Sequence, residues 1–218
     1  MPTPPTPARP TPRRRTSTLA VLTAVLTGWM VDRSRAAARI RDLTRQLAEA
    51  NTDPVTGLPV RRLAEQWLAT VRSPHTVALL DVDGMHRLNA EHGHLGGDIF
   101  LRVVAHELQR LAEPGDLVAR IGGDEFLLLT SCPAEIVAVR LQRLPHTPIP
   151  VNGIVVPLRC SVGVYEGRSD LHTALGCADA AMYTAKRCGG GIAVYDRARD
   201  GDPPPAGHRS PVRRRDTP

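Results

Sequence analysis

Acidic residues at two places in the sequence could hold a metal ion. Asp81-Val-Asp83 ends an apolar run, Thr76 to Val82, that is typical of a buried strand, and Asp124-Glu125 lies between two further apolar runs. Carboxylates that converge at a strand end and a neighbouring turn repel one another unless a cation neutralises them. Oxygen ligands without His or Cys favour Mg²⁺ over Zn²⁺, and substrate phosphates usually complete such a site. The pattern indicates phosphoryl or nucleotidyl transfer, with solvated turn acids as the alternative.

Two glycines precede the second acidic pair. Gly122 and Gly123 belong to a four-residue turn between the runs 117–121 and 126–130, which is a hairpin signal. Because glycine has no side chain, a backbone at this position can come close to a polyphosphate. The glycines therefore favour a nucleotide site over solvated turn acids.

The elements around these residues predict one α/β domain over residues 53–196, with a central mixed sheet flanked by helices. Runs with a two-residue or β-branched pattern alternate with runs of helical periodicity, and the hairpin adds an antiparallel pair to the sheet. The predicted strands cover residues 76–82, 117–121, 126–130 and 192–195, and residues 155–165 are predicted to form one strand or two. The predicted helices cover residues 61–71, 86–92, 97–111, 134–144 and 171–186.

Residues 18–52 precede this domain as an apolar segment and a linker helix. The uncharged run 19–31 falls short of the roughly 20 residues that a membrane span needs, although arginines flank it. Ile40, Leu43 and Leu47 place one apolar stripe on the following helix. A coiled coil and packing against its own domain are both compatible with this stripe. We expect a cytoplasmic protein, and two readings stay open for residues 18–31: membrane association and a soluble helix that packs on a partner.

The basic excess that gives the chain its net charge of +6 lies outside the predicted domain. Residues 1–52 carry nine basic and three acidic side chains, residues 53–196 carry thirteen and sixteen, and residues 197–218 carry six and three. We therefore expect no specific nucleic-acid partner, and a contact of residues 13–41 with an anionic membrane surface is the alternative use of the charge. The Pro-rich and Arg-rich ends, 1–17 and 197–218, are expected to be disordered tails.

Motifs throughout residues 53–196 resemble the GGDEF family of diguanylate cyclases. Gly122–Phe126 reads Gly-Gly-Asp-Glu-Phe, the pentapeptide for which the family is named, and Arg120 precedes it at the usual distance. Further stretches follow the family pattern in the right order: Asp53–Leu58 with Arg61-Arg62, Leu80–Asp83 with Asn89, Gly93-His94 and Gly97-Asp98, Cys160–Val164, and Ala178-Asp179 to Lys186.

This resemblance implies a homodimeric enzyme that condenses two GTP molecules into cyclic di-GMP and pyrophosphate, with Mg²⁺, or alternatively Mn²⁺, as cofactor. The implied catalytic residues are Asp81, Asp124 and Glu125, and the implied metal ligands are Asp81, Asp124 and the carbonyl of Val82. The implied substrate-binding residues are Asn89 and Asp98 for guanine, Lys186 for the terminal phosphates, and the backbone near Gly84, Met85, Gly122 and Gly123.

The sequence departs from the family pattern at three places. Gly190 stands where the family carries a phosphate-binding Arg, and His86 replaces a basic residue. The product-inhibition motif R-x-x-D reads Glu113-Pro-Gly-Asp116 here, so we expect no inhibition through that site. We expect Gly190→Arg to raise activity. The alternative hypothesis is a catalytically weak domain that serves as a GTP-binding or regulatory module, and a related cyclase that uses ATP is a third.

Overall fold

The computed structural model describes residues 18–71 and 74–203. The predicted tail 1–17 and residues 204–218 of the predicted C-terminal tail lie outside the described residues. The chain divides into two compact units, Met1–Ala48 and Glu49–Pro218.

The first unit consists of most of helix α1 (Thr18–Asn51), which runs for 34 residues without interruption. It joins the predicted apolar segment and the predicted linker helix into one element. Its large apolar side chains are exposed, and they recur at helical spacing: Val21, Leu22, Val25, Leu26, Trp29, Met30, Ile40, Leu43 and Leu47. Among the helices of residues 18–71 and 74–203, none has the length and apolar content that crossing a membrane requires.

The second unit is built on a five-stranded mixed sheet. Its strands are β1 (His75–Val82), β2 (Leu117–Arg120), β3 (Glu125–Thr130), β6 (Cys160–Gly167) and β7 (Gly191–Val194). They lie in the order β2-β3-β1-β6-β7. Strand β1 pairs antiparallel with both β3 and β6, and β6 pairs parallel with β7. The predicted α/β fold with a central mixed sheet and an N-terminal helix is confirmed.

Five helices accompany the sheet: α2 (Arg61–Thr70), α3 (Met85–Leu111), α4 (Ala134–Leu141), α5 (Leu171–Arg187) and α6 (Arg197–Asp200). Helix α3 contains a break at Gly93, whose φ of 71° and ψ of 170° are not helical. Glycine adopts this φ readily because it has no Cβ. The break explains why the sequence predicts two helices here.

The core lies on both faces of the sheet, because strand residues alternate between them. In β1, Ala78, Leu80 and Val82 belong to one buried cluster, together with residues of α3 and α4. Val77 and Leu79 belong to the other cluster, together with residues of α2 and α5. Helix α5 approaches the sheet so closely that a Cβ on Gly163 would lie 1.8 Å from its backbone. This glycine therefore sets the distance between α5 and β6.

The structure contains two elements that the sequence did not predict. Over residues 155–165 the sequence predicts one strand or two, and the structure forms two, β5 (Ile154–Pro157) and β6. The first unpredicted element is β4 (Pro148–Val151), which pairs with β5 in a hairpin that turns at Asn152 and Gly153 in left-handed backbone conformations. Residues 197–200, which the sequence placed in the C-terminal tail, form α6 instead. They are held because the Asp200 carboxylate accepts a hydrogen bond of 3.0 Å from the Thr184 hydroxyl.

Candidate active site

A cleft of about 910 Å³ opens where the end of β1 and the starts of β3 and β6 meet the beginning of α3 and the end of α5. Every element of the central sheet except β2 contributes to its wall. The lining includes five carboxylates, one lysine, one arginine, two histidines and the glycine loop after α5: Asp81, Asp83, Asp124, Glu125, Asp179, Lys186, Arg159, His86, His146 and Gly189–Gly191.

Strand pairing brings the two acidic sequences together. Asp81 lies opposite Glu125 on β3 and opposite Ser161 on β6. The backbone N–H of Val82 donates a hydrogen bond of 3.1 Å to the carbonyl oxygen of Asp124. The strand end and the hairpin turn, 43 positions apart in sequence between Asp81 and Asp124, are therefore adjacent in the folded domain.

Charge crowding changes the acidity of Asp81. Burial is the largest effect on the pKa of this carboxyl, and together with the Asp124 and Asp83 carboxylates it raises that pKa to about 6. The Lys186 ammonium opposes these effects and forms an ion pair of 2.9 Å with Asp81 Oδ1. A cation at this place would lower the free energy of the ionised carboxylates.

Helix α5 adds an acid, Asp179, for which the sequence predicts no role in the cleft. Asp179, Met182 and Lys186 all line the cleft, at spacings of three and four that put them on one helical face. Burial raises the pKa of Asp179, and the Glu125 carboxylate raises it further. Applying the helical spacing to residues N-terminal of Lys186 would have identified this residue.

The beginning of α3 forms another part of the wall. Gly84 precedes the helix with a left-handed φ of 79°, and Gly84, Met85 and His86 all line the cleft. The first N–H groups of a helix lack partners within the helix and carry partial positive charge, so they attract anions. The neighbouring Asp83 is held in place, since its carboxylate accepts a hydrogen bond of 2.9 Å from the Ser161 hydroxyl.

The glycines of the signature turn lie beside the cleft. A Cβ on Gly122 would come within 2.3 Å of Glu125 Oε2, so this position must remain glycine for Glu125 to keep its orientation. The Gly123 carbonyl accepts a hydrogen bond of 2.5 Å from Arg120, which also forms an ion pair of 2.7 Å with Asp53. Burial alone would raise the pKa of Asp53, but hydrogen bonds from Thr56 and Arg120 hold this pKa below its ordinary value.

Two predicted substrate-binding residues lie on α3 outside the cleft lining. Neither Asn89 nor Asp98 is among the described residues that line the cleft. The Asn89 side chain packs against Gly97, where a Cβ would lie only 2.0 Å from Asn89 Oδ1. Their contact with a base stays a prediction.

The oxygen ligands in the cleft suit a hard cation whose coordination is completed by substrate phosphates. Among residues 18–71 and 74–203, no group of three or more His, Cys, Asp or Glu side chains is arranged to hold a metal ion unaided. Asp81, Asp124 and the adjoining backbone offer only oxygen ligands. Magnesium is commonly held by one or two carboxylates plus substrate phosphates, and this arrangement matches that pattern.

Glu113 and Asp116 both contact Arg140 on α4. Arg140 forms ion pairs of 2.9 Å with each carboxylate, and the side chain of Asp116 is only 6% exposed. Burial alone would lower the pKa of Arg140. The hydrogen bond to Cys132 and the charges of the two carboxylates have the opposite effect, and the pKa of Arg140 is raised overall. One guanidinium therefore pairs with both carboxylates, of which that of Asp116 is buried and that of Glu113 is exposed.

The backbone of the glycine loop disfavours a side chain at position 190. Gly190 has a φ of 101°, which non-glycine residues rarely adopt, and a Cβ there would lie 3.3 Å from the carbonyl oxygen of Cys160. The expectation that Gly190→Arg raises activity is therefore not supported by the backbone geometry.

Comparison with known proteins places these features in a family. Residues 50–191 match the family model described as "Diguanylate cyclase, GGDEF domain". The chain is 36% identical over 161 residues to diguanylate cyclase DgcP of Pseudomonas aeruginosa, covering 67% of this chain and 24% of that protein. It is 37% identical over 175 residues to cyclic di-GMP phosphodiesterase PdeR of Escherichia coli, covering 74% of this chain and 25% of that protein. The chain thus spans about a quarter of the length of either relative.

Solved structures agree with the sequence comparison. The coiled coil and GGDEF domain of DgcB from Caulobacter crescentus, in complex with c-di-GMP, has a TM-score of 0.69 and 26% identity, over 78% of this chain and 98% of that chain. Diguanylate cyclase SiaD from Pseudomonas aeruginosa, in complex with its activator SiaC, has a TM-score of 0.61 and 28% identity, over 81% of this chain and 76% of that chain.

Proposed function

The chain belongs to the GGDEF family of diguanylate cyclases, and from this premise we propose that it condenses two GTP molecules into cyclic di-GMP and pyrophosphate. The observation that carries the proposal is the pairing of β1 with β3, which puts Asp81 opposite Glu125 and beside Asp124 in the cleft. Carboxylates in that arrangement suit phosphate chemistry with a divalent cation.

We assign the metal-binding role to Asp81, Asp124 and the carbonyl of Val82. A Mg²⁺ ion held there, or Mn²⁺, would neutralise phosphate charge and orient the triphosphate. Glu125 accepts the proton of the 3′-hydroxyl as that oxygen attacks the α-phosphate of the second GTP and pyrophosphate leaves. Lys186, which forms an ion pair with Asp81 in this structure, would contact the terminal phosphates of the bound nucleotide.

We assign guanine recognition to Asn89 and Asp98, and phosphate binding also to backbone groups. A carboxylate that accepts hydrogen bonds from guanine N1–H and the 2-amino group would remain unpaired with adenine, which disfavours ATP. Backbone amides near Gly84 and Met85 face the phosphates at the helix terminus, and Gly122 and Gly123 let the turn approach them.

Condensation of two nucleotides requires two domains, because each cleft would hold one GTP. Helix α1 is the proposed pairing device, since its exposed apolar side chains, among them Ile40, Leu43 and Leu47, repeat at helical spacing. Light scattering of the full chain should give twice the monomer mass. Replacing Leu43 and Leu47 by Glu should give a folded monomer that makes no cyclic di-GMP, and a dimer that survives this change would exclude α1 as the pairing device.

We propose that the enzyme lacks product inhibition through the segment 113–116. Glu113 replaces the arginine that the family motif requires, and Asp116 already pairs with Arg140. Activity should therefore remain unchanged when cyclic di-GMP accumulates. Inhibition that Asp116→Ala abolishes would contradict this.

The decisive experiment is incubation of the purified chain with GTP and Mg²⁺, with cyclic di-GMP detected by liquid chromatography and mass spectrometry. Asp124→Asn and Glu125→Gln should remove the product, whereas Glu135→Gln, on the exposed surface of α4, should not. A folded dimer that binds GTP but forms no product would favour the second hypothesis, a regulatory GTP-binding module. The observations behind that alternative are Gly190 and His86 in place of basic residues.

A further inference from the structure

The cleft has more negative than positive charge, and the Lys186 ammonium on α5 is already used within it. Five carboxylates line it, and Lys186 forms an ion pair with one of them, Asp81. A triphosphate brings further negative charge, so a cationic group besides Lys186 and the metal ion would favour its binding. The only arginine among the described lining residues is Arg159.

Arg159 combines a fixed backbone with an accessible side chain. Its carbonyl oxygen accepts a hydrogen bond of 2.9 Å from the backbone N–H of Asp83, at the start of the wall that leads to α3. The residue is exposed to solvent. No residue of 18–71 or 74–203 forms an ion pair or hydrogen bond with its guanidinium. The guanidinium is therefore available to a ligand at little cost in broken contacts.

The glycine loop borders this position. Gly190 lies next to the backbone of Cys160, the residue that directly follows Arg159. A Cβ built on Gly190 would be 3.3 Å from the carbonyl oxygen of Cys160. Gly189, Gly190 and Gly191 line the cleft without side chains. The space next to the start of β6 is thus bounded by bare backbone on the loop side and by Arg159 on the strand side.

We propose that Arg159 binds the terminal phosphates of GTP and supplies the cationic contact that Gly190 cannot make. This inference rests on the proposed function. A guanidinium suits the role because its planar donors bind two phosphate oxygens at once and its charge does not depend on pH. Arg187 is the other arginine near the loop, but it is not among the residues that line the cleft.

The test measures binding of 3′-deoxy-GTP, which cannot be condensed, by isothermal titration calorimetry in the presence of Mg²⁺. Arg159→Gln should weaken binding by about tenfold to a hundredfold, as expected for the loss of one charge-assisted contact. Arg187→Gln is the matched control and should stay within about twofold. Binding of GMP, which lacks the terminal phosphates, should be the same in wild type and Arg159→Gln, and Arg159→Lys should recover part of the lost affinity.

Three results would overturn the inference: equal affinities for wild type and Arg159→Gln, an equal loss for GMP and 3′-deoxy-GTP, or a larger loss in Arg187→Gln. If the wild type does not bind 3′-deoxy-GTP, the proposed function fails. Titration with Mg²⁺-tripolyphosphate then tests separately whether Arg159 binds phosphates. Tripolyphosphate binding that Arg159→Gln abolishes would support the phosphate contact. Tripolyphosphate binding that is absent, or indifferent to Arg159, would overturn it.

Discussion

Replacing Asp81 by Asn should stabilise the metal-free protein while it removes activity. The Asp81 side chain is 15% exposed, and burial together with the nearby Asp124 and Asp83 carboxylates raises its pKa from 3.8 to about 6. Without a cation, the ionised Asp81 carboxylate lowers the free energy of unfolding, although the proposed activity requires this carboxylate. Asparagine has nearly the same shape and carries no charge.

The sign of the effect follows from proton binding. The folded protein holds the Asp81 proton more tightly than the unfolded chain, so the free energy of unfolding falls as pH rises from about 4 to about 6 and remains lower above that range. A shift of this size corresponds to about 3 kcal/mol at most, and solvent screening in an open cleft reduces it to about 1–2 kcal/mol. Lys186 loses its partner, but at 37% exposure it can be solvated by water.

The assay is thermal and urea unfolding in EDTA at pH 8 and near pH 4. At pH 8, Asp81→Asn should unfold about 2–8 °C above the wild type, and near pH 4 the two should agree within about 0.5 kcal/mol. Asp200→Asn is a control of opposite sign, because hydrogen bonding to Arg199 lowers the pKa of Asp200 to about 2. That carboxylate stabilises the fold above pH 3.8, so its replacement should lower stability by about 1 kcal/mol at pH 8.

The reasoning is refuted if Asp81→Asn is less stable than the wild type at pH 8. It is equally refuted if the difference between the two proteins is the same at both pH values, because a steric cause would not depend on proton binding.

Three further perturbations test the packing around the cleft. Gly163→Ala should destabilise the domain by more than about 2 kcal/mol in urea unfolding, since a Cβ would lie 1.8 Å from the backbone of α5, whereas Gly123→Ala, with no atom within 4 Å, should cost less than about 1 kcal/mol. Gly190→Arg should lower both melting temperature and cyclase rate, by about 1–3 kcal/mol in stability, because φ is 101° there; a faster enzyme would contradict the observed loop. Asp116→Ala should lower the free energy of unfolding in urea by about 1–3 kcal/mol, because it leaves the largely buried Arg140 with one partner fewer. Asp116→Asn should lower it less. If Asp116→Ala is as stable as the wild type, this ion pair is not formed.

Local patterns in the sequence were sufficient for the fold class and for the acids of the cleft. Strand β1, the hairpin of β2 and β3, and helix α5 follow from periodicity, β-branched residues and the glycine turn, which act over a few neighbouring residues. Asp81, Asp124 and Glu125 could be named because they stand at the ends of such elements. Strand β4, and with it the hairpin of β4 and β5, was missed, since a four-residue strand carries too short a pattern.

Only the tertiary structure decided what these residues touch. The register of β1 against β3 and β6 sets Asp81 opposite Glu125, and the packing of α5 on Gly163 brings Lys186 to Asp81. Burial and the field of neighbouring charges set the acidity of Asp81, and both are sums over residues that are far apart in sequence. For the same reason the sequence could mark Gly190 as a missing arginine, whereas only the folded backbone shows that a side chain would be strained there and that Arg159 lines the same cleft.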